Sequence, residues 1–266
     1  MKLLWPTVAA AILLAAPAHV SALNDAGQAL PPVEMVLQRV AEKSAKADEN
    51  EQAFQERYFF TRTRVTEYRN SKGEVKKREE KKRENNPLQK TLAARPQSSG
   101  AKPPPTVGTK TNEAVSETHS NVRGKAFEKS DFVPNGDLLG RFEFTVTGRE
   151  VLNGRPALIV DFQPAEKKLP ERNLKDRFIN KAAGRVWVDE ADYALVKADL
   201  HLTERVNVVG GLVGAVWKFT FGFIRERMPD GLWFTRNSNW HLEGRELFVH
   251  RTVDFYEERA DVRKVF

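Results

Sequence analysis

Between residues 139 and 257 the chain is a succession of short runs in which apolar and polar residues alternate, each closed by a turn signal. That pattern restricts the possible folds more than any other feature. Phe142, Phe144 and Val146 share a face, and the pair Asn153-Gly154 separates them from Ala157-Leu-Ile-Val-Asp-Phe162. Asn-Gly between two such runs is the strongest short hairpin signal. Arg185-Val-Trp-Val-Asp189 follows, then a turn through Glu190-Ala-Asp192, then 194–203 with Val196, Ala198, Leu200 and Leu202 facing inward. Runs 217–227 and 232–242 flank the turn Pro229-Asp230-Gly231. Gly244 opens a last strand in which Leu247, Val249, Val253 and Phe255 alternate with Phe248, His250, Asp254 and Tyr256. With no helical pattern between these runs, they predict an antiparallel meander and no parallel sheet.

One run carries the strongest hint of function. In Trp217-Lys-Phe-Thr-Phe-Gly-Phe223 the period of two places Trp217, Phe219, Phe221 and Phe223 on one face of a sheet. Such a face must be covered by a second sheet, a helix or an apolar ligand. Before it stands the glycine-rich stretch 206–216, with Val209, Leu212 and Val213 as its apolar residues. It reads as a buried strand crossing, a wide bulge or an apolar flap. Gly210, Gly211 and Gly214 resemble a phosphate-cradling loop in composition only, since no Lys-Ser/Thr follows and no helix opens there.

Upstream, Pro31-Pro32 precede Val33, Val36, Leu37, Val40, Ala41, Ser44 and Ala47, spaced as one apolar stripe of an amphipathic helix of about four turns. Such a helix is unstable alone, so its stripe must pack on the sheet. A long hairpin follows: 54–68, the turn Asn70-Ser-Lys-Gly73, and 74–84. Segment 85–124 is rich in Pro, Ser, Thr, Gly and Lys and nearly devoid of large apolar side chains, which marks a flexible insertion. Segment 167–181 reads as a charged connection containing Pro170.

At the N-terminus Lys2, the apolar stretch 3–16 and the small residues of Ala16-Pro17-Ala18 or Val20-Ser21-Ala22 form a cleavable export signal, assigned to 1–22. Residues 23–266 then form a single domain, exported to the periplasm of a Gram-negative bacterium. The chain has 0 Cys, so neither disulfides nor thiol chemistry contribute. The net charge of +7 concentrates in 57–83, including Lys76-Lys77-Arg78 and Lys81-Lys82-Arg83. Outside the cytoplasm nucleic acid is no partner. Interleaved Glu79, Glu80 and Glu84 make this hairpin a solvated edge whose lysines resist edge-to-edge pairing, with an anionic membrane surface or an envelope protein as the other reading.

Catalytic motifs are absent: there is no G-x-S-x-G and no H-E-x-x-H. His241-Leu-Glu243 places an imidazole and a carboxylate on one strand face, with His201 and His250 on other strands; these are too scattered to predict a metal, and an envelope hydrolase using His241 and Glu243 is the remote alternative. No cofactor is expected.

The helix 33–47, the strand 54–68 after it and Gly184-Arg-Val-Trp-Val-Asp-Glu-Ala-Asp-Tyr193 together resemble the LolA/LolB-like superfamily of periplasmic lipoprotein carriers. The resemblance spans most of the chain as a pattern, but only 184–193 as a motif. It implies a mainly β (α+β) fold, a wide antiparallel meander curled into an incomplete β-barrel with the N-terminal helix on its concave face. It also implies a non-catalytic carrier for a lipid or lipoprotein acyl chain. The insertion 85–124 and the lack of a second helical pattern depart from the family, and no family ligand contact maps onto a residue here. The sites expected from the chain's own residues are Trp217, Phe219, Phe221 and Phe223, with Val209, Leu212 and Val213 as their movable cover.

Overall fold

In the computed structural model, residues 29–89, 136–167, 169–208, 214–246 and 249–265 are described. They form strands β1 (Tyr58–Arg69), β2 (Val75–Asn85), β3 (Phe142–Leu152), β4 (Arg155–Pro164), β5 (Ala182–Asp189), β6 (Leu195–Leu202), β7 (Val206–Val208), β8 (Gly214–Arg227), β9 (Trp233–Glu246) and β10 (Val249–Lys264). All pair antiparallel in one sheet of order β2-β1-β10-β9-β8-β6-β5-β4-β3, with β7 continuing beside β8. Strands β2 and β3 are the two edges, so the sheet curls into a barrel that does not close. The export signal and residues 90–124 of the insertion lie outside the described residues.

The hairpins form where the turn chemistry dictates. Leu152 faces Arg155, and Asn153 and Gly154 both take positive φ (52° and 75°), the conformation of a two-residue type I′ turn. At the β1–β2 turn the Asn70 carboxamide oxygen accepts from the backbone N–H of Lys72 and Glu74 at 3.0 and 2.9 Å, and Gly73 adopts φ 81°. The acidic turn after β5 is organised by Asp189. Its buried carboxylate accepts from the N–H of Asp192 at 2.7 Å and holds Arg155 at 2.6 and 2.8 Å.

Three helices cover parts of one face, the inner one. Helix α1 (Val33–Ser44) lays Val36 and Val40 on Leu158, Val160 and Val188, with Phe144, Val146 and Val186 at the margin. Every residue of the expected stripe is buried or half-buried, which is what stabilises a helix of this length. The helical stretch does not run into a strand at residue 54. A second helix, α2 (Ala47–Arg57), follows, and Phe54 is its one buried residue. Phe54 stacks on Tyr58, Phe60 and Phe234 with ring centroids at 5.1, 5.4 and 4.7 Å, fixing α2 against β1 and β9. A third helix, α3 (Leu174–Ile179), lies in the charged connection 167–181. Asn173 caps it by accepting from the Asp176 N–H at 2.9 Å, and the buried Arg141–Asp176 ion pair at 3.0 Å ties it to the start of β3. Helices therefore do occur between strands, yet the sheet stays antiparallel.

Two further boundaries differ from expectation. Asn85 is not the start of the insertion: it closes β2 and donates to the carbonyls of Gln55 and Tyr58 at 2.8 Å each. Gly244 does not open the last strand but lies inside β9, where a Cβ would come within 2.6 Å of the Ala215 carbonyl oxygen. Because Phe54 is the one buried side chain of α2, Phe54→Ala is expected to destabilise the protein by about 3–5 kcal/mol in urea unfolding, with an early loss of helical signal.

Candidate ligand-binding face

The strand register assembles one continuous row across the inner face: Phe144, Phe162, Gly184, Leu200, Phe221, Trp240 and Phe255, from β3 to β10. Gly184 has no side chain because its Cβ would stand 2.2 Å from the Asp199 carbonyl oxygen, and the row dips there. The next row runs Val160, Val186, Ala198, Phe223. Rings meet along the rows, with Trp240 stacked on Phe255 at 5.5 Å, Phe221 against Phe223 at 6.0 Å, and Phe142 edge-on to Phe162 at 5.2 Å. Phe142, Phe162, Leu200, Phe221, Phe223, Trp240 and Phe255 are all half-buried. None belongs to the clusters that α1, α2 and α3 form with the sheet. Among the described residues they are an aromatic floor between the helix footprints.

Phe219, Phe221 and Phe223 take the face predicted for them, with Phe219 reaching Phe178 of α3 at 6.5 Å. Trp217 does not join them. The register of β8 on β9 slips between Val216 and Lys218, which makes Trp217 the inserted residue of a bulge. Its ring lies 5.1 Å from His250, on the face of His241 and Asp254, and the residue is 40% exposed. A period of two holds only while the ladder is regular, and the bulge breaks it at the first residue of the run. Val209, Leu212 and Val213 lie outside the described residues. The flanks of their stretch, Val206–Val208 and Gly214–Val216, pair with each other, and Val206 and Val216 pack on Phe178.

Three inner-face features escaped the sequence reading. Trp240 and Phe255 extend the floor over β9 and β10, and among the described residues the buried Trp240 indole N–H has no hydrogen-bond partner. Beyond Phe223, past a second slip of the β8–β9 register between Ile224 and Arg225, stands Arg225, with Glu51 of α2 and Arg259 of β10 as its charged neighbours. Neither the surroundings of Arg225 nor the pairing of Trp240 with Phe221 could have been read from the period of two, since both depend on long-range register.

Two clefts open elsewhere. One of about 290 Å³, lined by Arg155, Ala157, Asp189, Val196 and Trp233 among others, lies on the outer face. One of about 550 Å³ at the rim is lined by Pro164, Leu169, Pro170, Asn180 and Lys181 among others. Neither includes a residue of the aromatic floor.

The outer face is polar. His241 Nδ1 meets Asp254 at 2.6 Å and Nε2 meets Glu243 at 2.7 Å, an arrangement that a ring with a proton on each nitrogen satisfies at both ends. Lys218 adds to Glu243 at 3.2 Å, and Arg69 to Asp254 at 2.7 Å. Hydrogen bonds from His241 and Lys218 hold the Glu243 carboxyl below the usual carboxylate range. At Asp254 burial opposes ionisation, but the bonds from His241 and Arg69 outweigh it and lower its pKa too. Among the described residues no group of three potential metal ligands gathers. Edge strand β2 is exposed over most of its length, and its cations pair with glutamates, Lys77 with Glu79 at 2.6 Å and Arg78 with Glu67 at 2.8 Å.

No family model and no curated protein matches this chain. Among solved structures it is similar to an outer membrane lipoprotein-sorting protein domain from Vibrio parahaemolyticus, at 12% identity over 88% of this chain and 93% of that one, with a TM-score of 0.33. It is similar to a LolA superfamily protein from Nitrosomonas europaea at 8% identity over 89% and 95%, again at TM-score 0.33. The MucA/MucB complex of Pseudomonas aeruginosa follows at 10% identity over 87% and 98%, with a TM-score of 0.23. The likeness is in the pattern of the fold. At these TM-scores it carries no argument about function.

The depressed carboxyls of Glu243 and Asp254 make a pH prediction. A carboxyl whose folded pKa lies below its unfolded value of about 4 stabilises the fold above that value. The contribution is lost as pH falls through the folded pKa. Urea titrations should therefore show stability falling below about pH 4, and less steeply in His241→Gln than in wild type.

Proposed function

We propose that this chain is a non-catalytic carrier for an apolar ligand, a lipid or a lipoprotein acyl chain, acting in the periplasm of a Gram-negative bacterium in lipoprotein sorting. The observation that carries this reading is the aromatic floor, in which Leu200, Phe221, Phe223, Trp240 and Phe255 are half-buried between the footprints of three helices. Aromatic side chains offer large rigid contact areas, and binding sites for such ligands are concave and mostly apolar. A closed core of this size would bury these rings fully. The export signal read at 1–22 supports the compartment. In the hairpin β1–β2, Lys77 and Arg78 are paired with glutamates, which weakens the field that docking through it would use.

Phe221→Ala combined with Phe223→Ala removes two rings from the centre of the floor. Loss of binding of a neutral fluorescent apolar probe, about tenfold or more, is the expected outcome, with the urea midpoint little changed because neither ring belongs to a helix-packed cluster. A probe that binds wild type and double variant alike, together with a bare apo mass for protein isolated from cell envelopes, would refute the carrier reading.

A further inference from the structure

The aromatic run of β8 leads to a cation that forms no ion pair among the described residues. Phe219, Phe221 and Phe223 are followed, two residues on, by Arg225, whose neighbours Glu51 of α2 and Arg259 of β10 lie on the inner face. The Arg225 guanidinium reaches only the carbonyl oxygens of Leu195 and Trp233, at 3.4 and 3.5 Å, and forms no ion pair among the described residues. The nearby carboxylate, Glu51, is engaged by Arg259, which donates to its two oxygens at 2.8 and 3.2 Å. Gln55 donates to it as well, at 2.9 Å. The Nε–H of Arg259 is buried and has no hydrogen-bond partner among the described residues. Two guanidiniums thus share one carboxylate. Burial, opposed by Glu51 and reinforced by Arg259, pushes the Arg225 pKa down to about 10, so the residue stays charged at neutral pH in a poorly solvated place.

A desolvated guanidinium with weak carbonyl contacts is costly unless an anion joins it. Guanidinium also matches oxyanions in planar, two-pronged fashion. From Phe219 to Arg225 the strand covers six residue steps, about 20 Å at 3.3 Å per residue. A long acyl chain extends over a similar distance.

We propose that Arg225, with the free Nε–H of Arg259, anchors the oxyanion head of a single-chain lipid, a carboxylate or phosphate ester, whose tail lies along Phe223, Phe221 and Phe219. This rests on the carrier reading and names its ligand class. A merely structural Arg225, holding two carbonyls, would leave head-group preference untouched.

The test is displacement of the neutral apolar probe by tetradecanoate, tetradecyl phosphate and tetradecanol, with inorganic phosphate as the headgroup alone. In wild type the two oxyanion chains should displace at concentrations about tenfold to a hundredfold below that of the alcohol, the usual weight of a charge-assisted bond. Arg225→Gln should bring them to the alcohol's level and leave the alcohol unchanged, and Arg225→Lys should keep part of the preference. Equal displacement by all three chains in wild type would overturn the proposal, whether or not either variant folds. So would an Arg225→Gln effect of equal size on acid and alcohol. Inorganic phosphate protecting the protein as well as tetradecyl phosphate would mark a free-anion site and also overturn it. If no chain displaces the probe, the carrier reading itself fails, an outcome distinct from the others.

Discussion

Among the described residues the inner face of this sheet is wider than the helices that lie on it, and the rest of the described structure follows from that mismatch. An antiparallel sheet of this breadth, open between β2 and β3, curls and leaves a broad apolar concavity. Helix α1 packs on the β3–β5 side, α2 on β1 and β9, and α3 at the β7–β8 end. Between them, among the described residues, remains the row from Phe162 to Phe255. Burying such rings against protein would be favourable by kilocalories each. Their partial exposure is therefore a structural cost that a bound apolar chain would relieve.

The two faces divide the chemistry. Outside, carboxylates, guanidiniums and His241 form laterally paired networks in which each exposed pair contributes little to stability. Inside, Arg64 pairs with Glu257 and Arg259 with Glu51, but among the described residues the Trp240 indole N–H and the Arg259 Nε–H lack a hydrogen-bond partner and the Arg225 guanidinium reaches only two carbonyls. Buried unsatisfied donors call for an explanation. Their location beside an aromatic floor supplies one in the form of an amphiphile with an acceptor head.

Much of this was legible in the sequence because it rests on local rules. The Asn153-Gly154 turn, the stripe from Val33 to Ala47 and the alternation from Phe219 to Phe223 each follow from backbone periodicity or a positive φ. Helix α2 was not legible, since a single buried Phe54 in a polar sequence leaves almost no stripe to detect. Helix α3 depends on a cap and on the long-range Arg141–Asp176 pair. Trp217 was misplaced because a bulge, a property of the β8–β9 pairing, reverses its face. The row that joins Phe221 to Trp240 and Phe255 likewise exists only once strands are in register.

Trp240 and Trp217 stand on opposite faces, which allows a direct measurement. Variants retaining only one of these tryptophans should be titrated with an acyl chain brominated along its length, a short-range quencher of indole fluorescence. The aromatic floor as binding site predicts strong quenching of Trp240 and little change in Trp217. Quenching of Trp217 with Trp240 unaffected would contradict it.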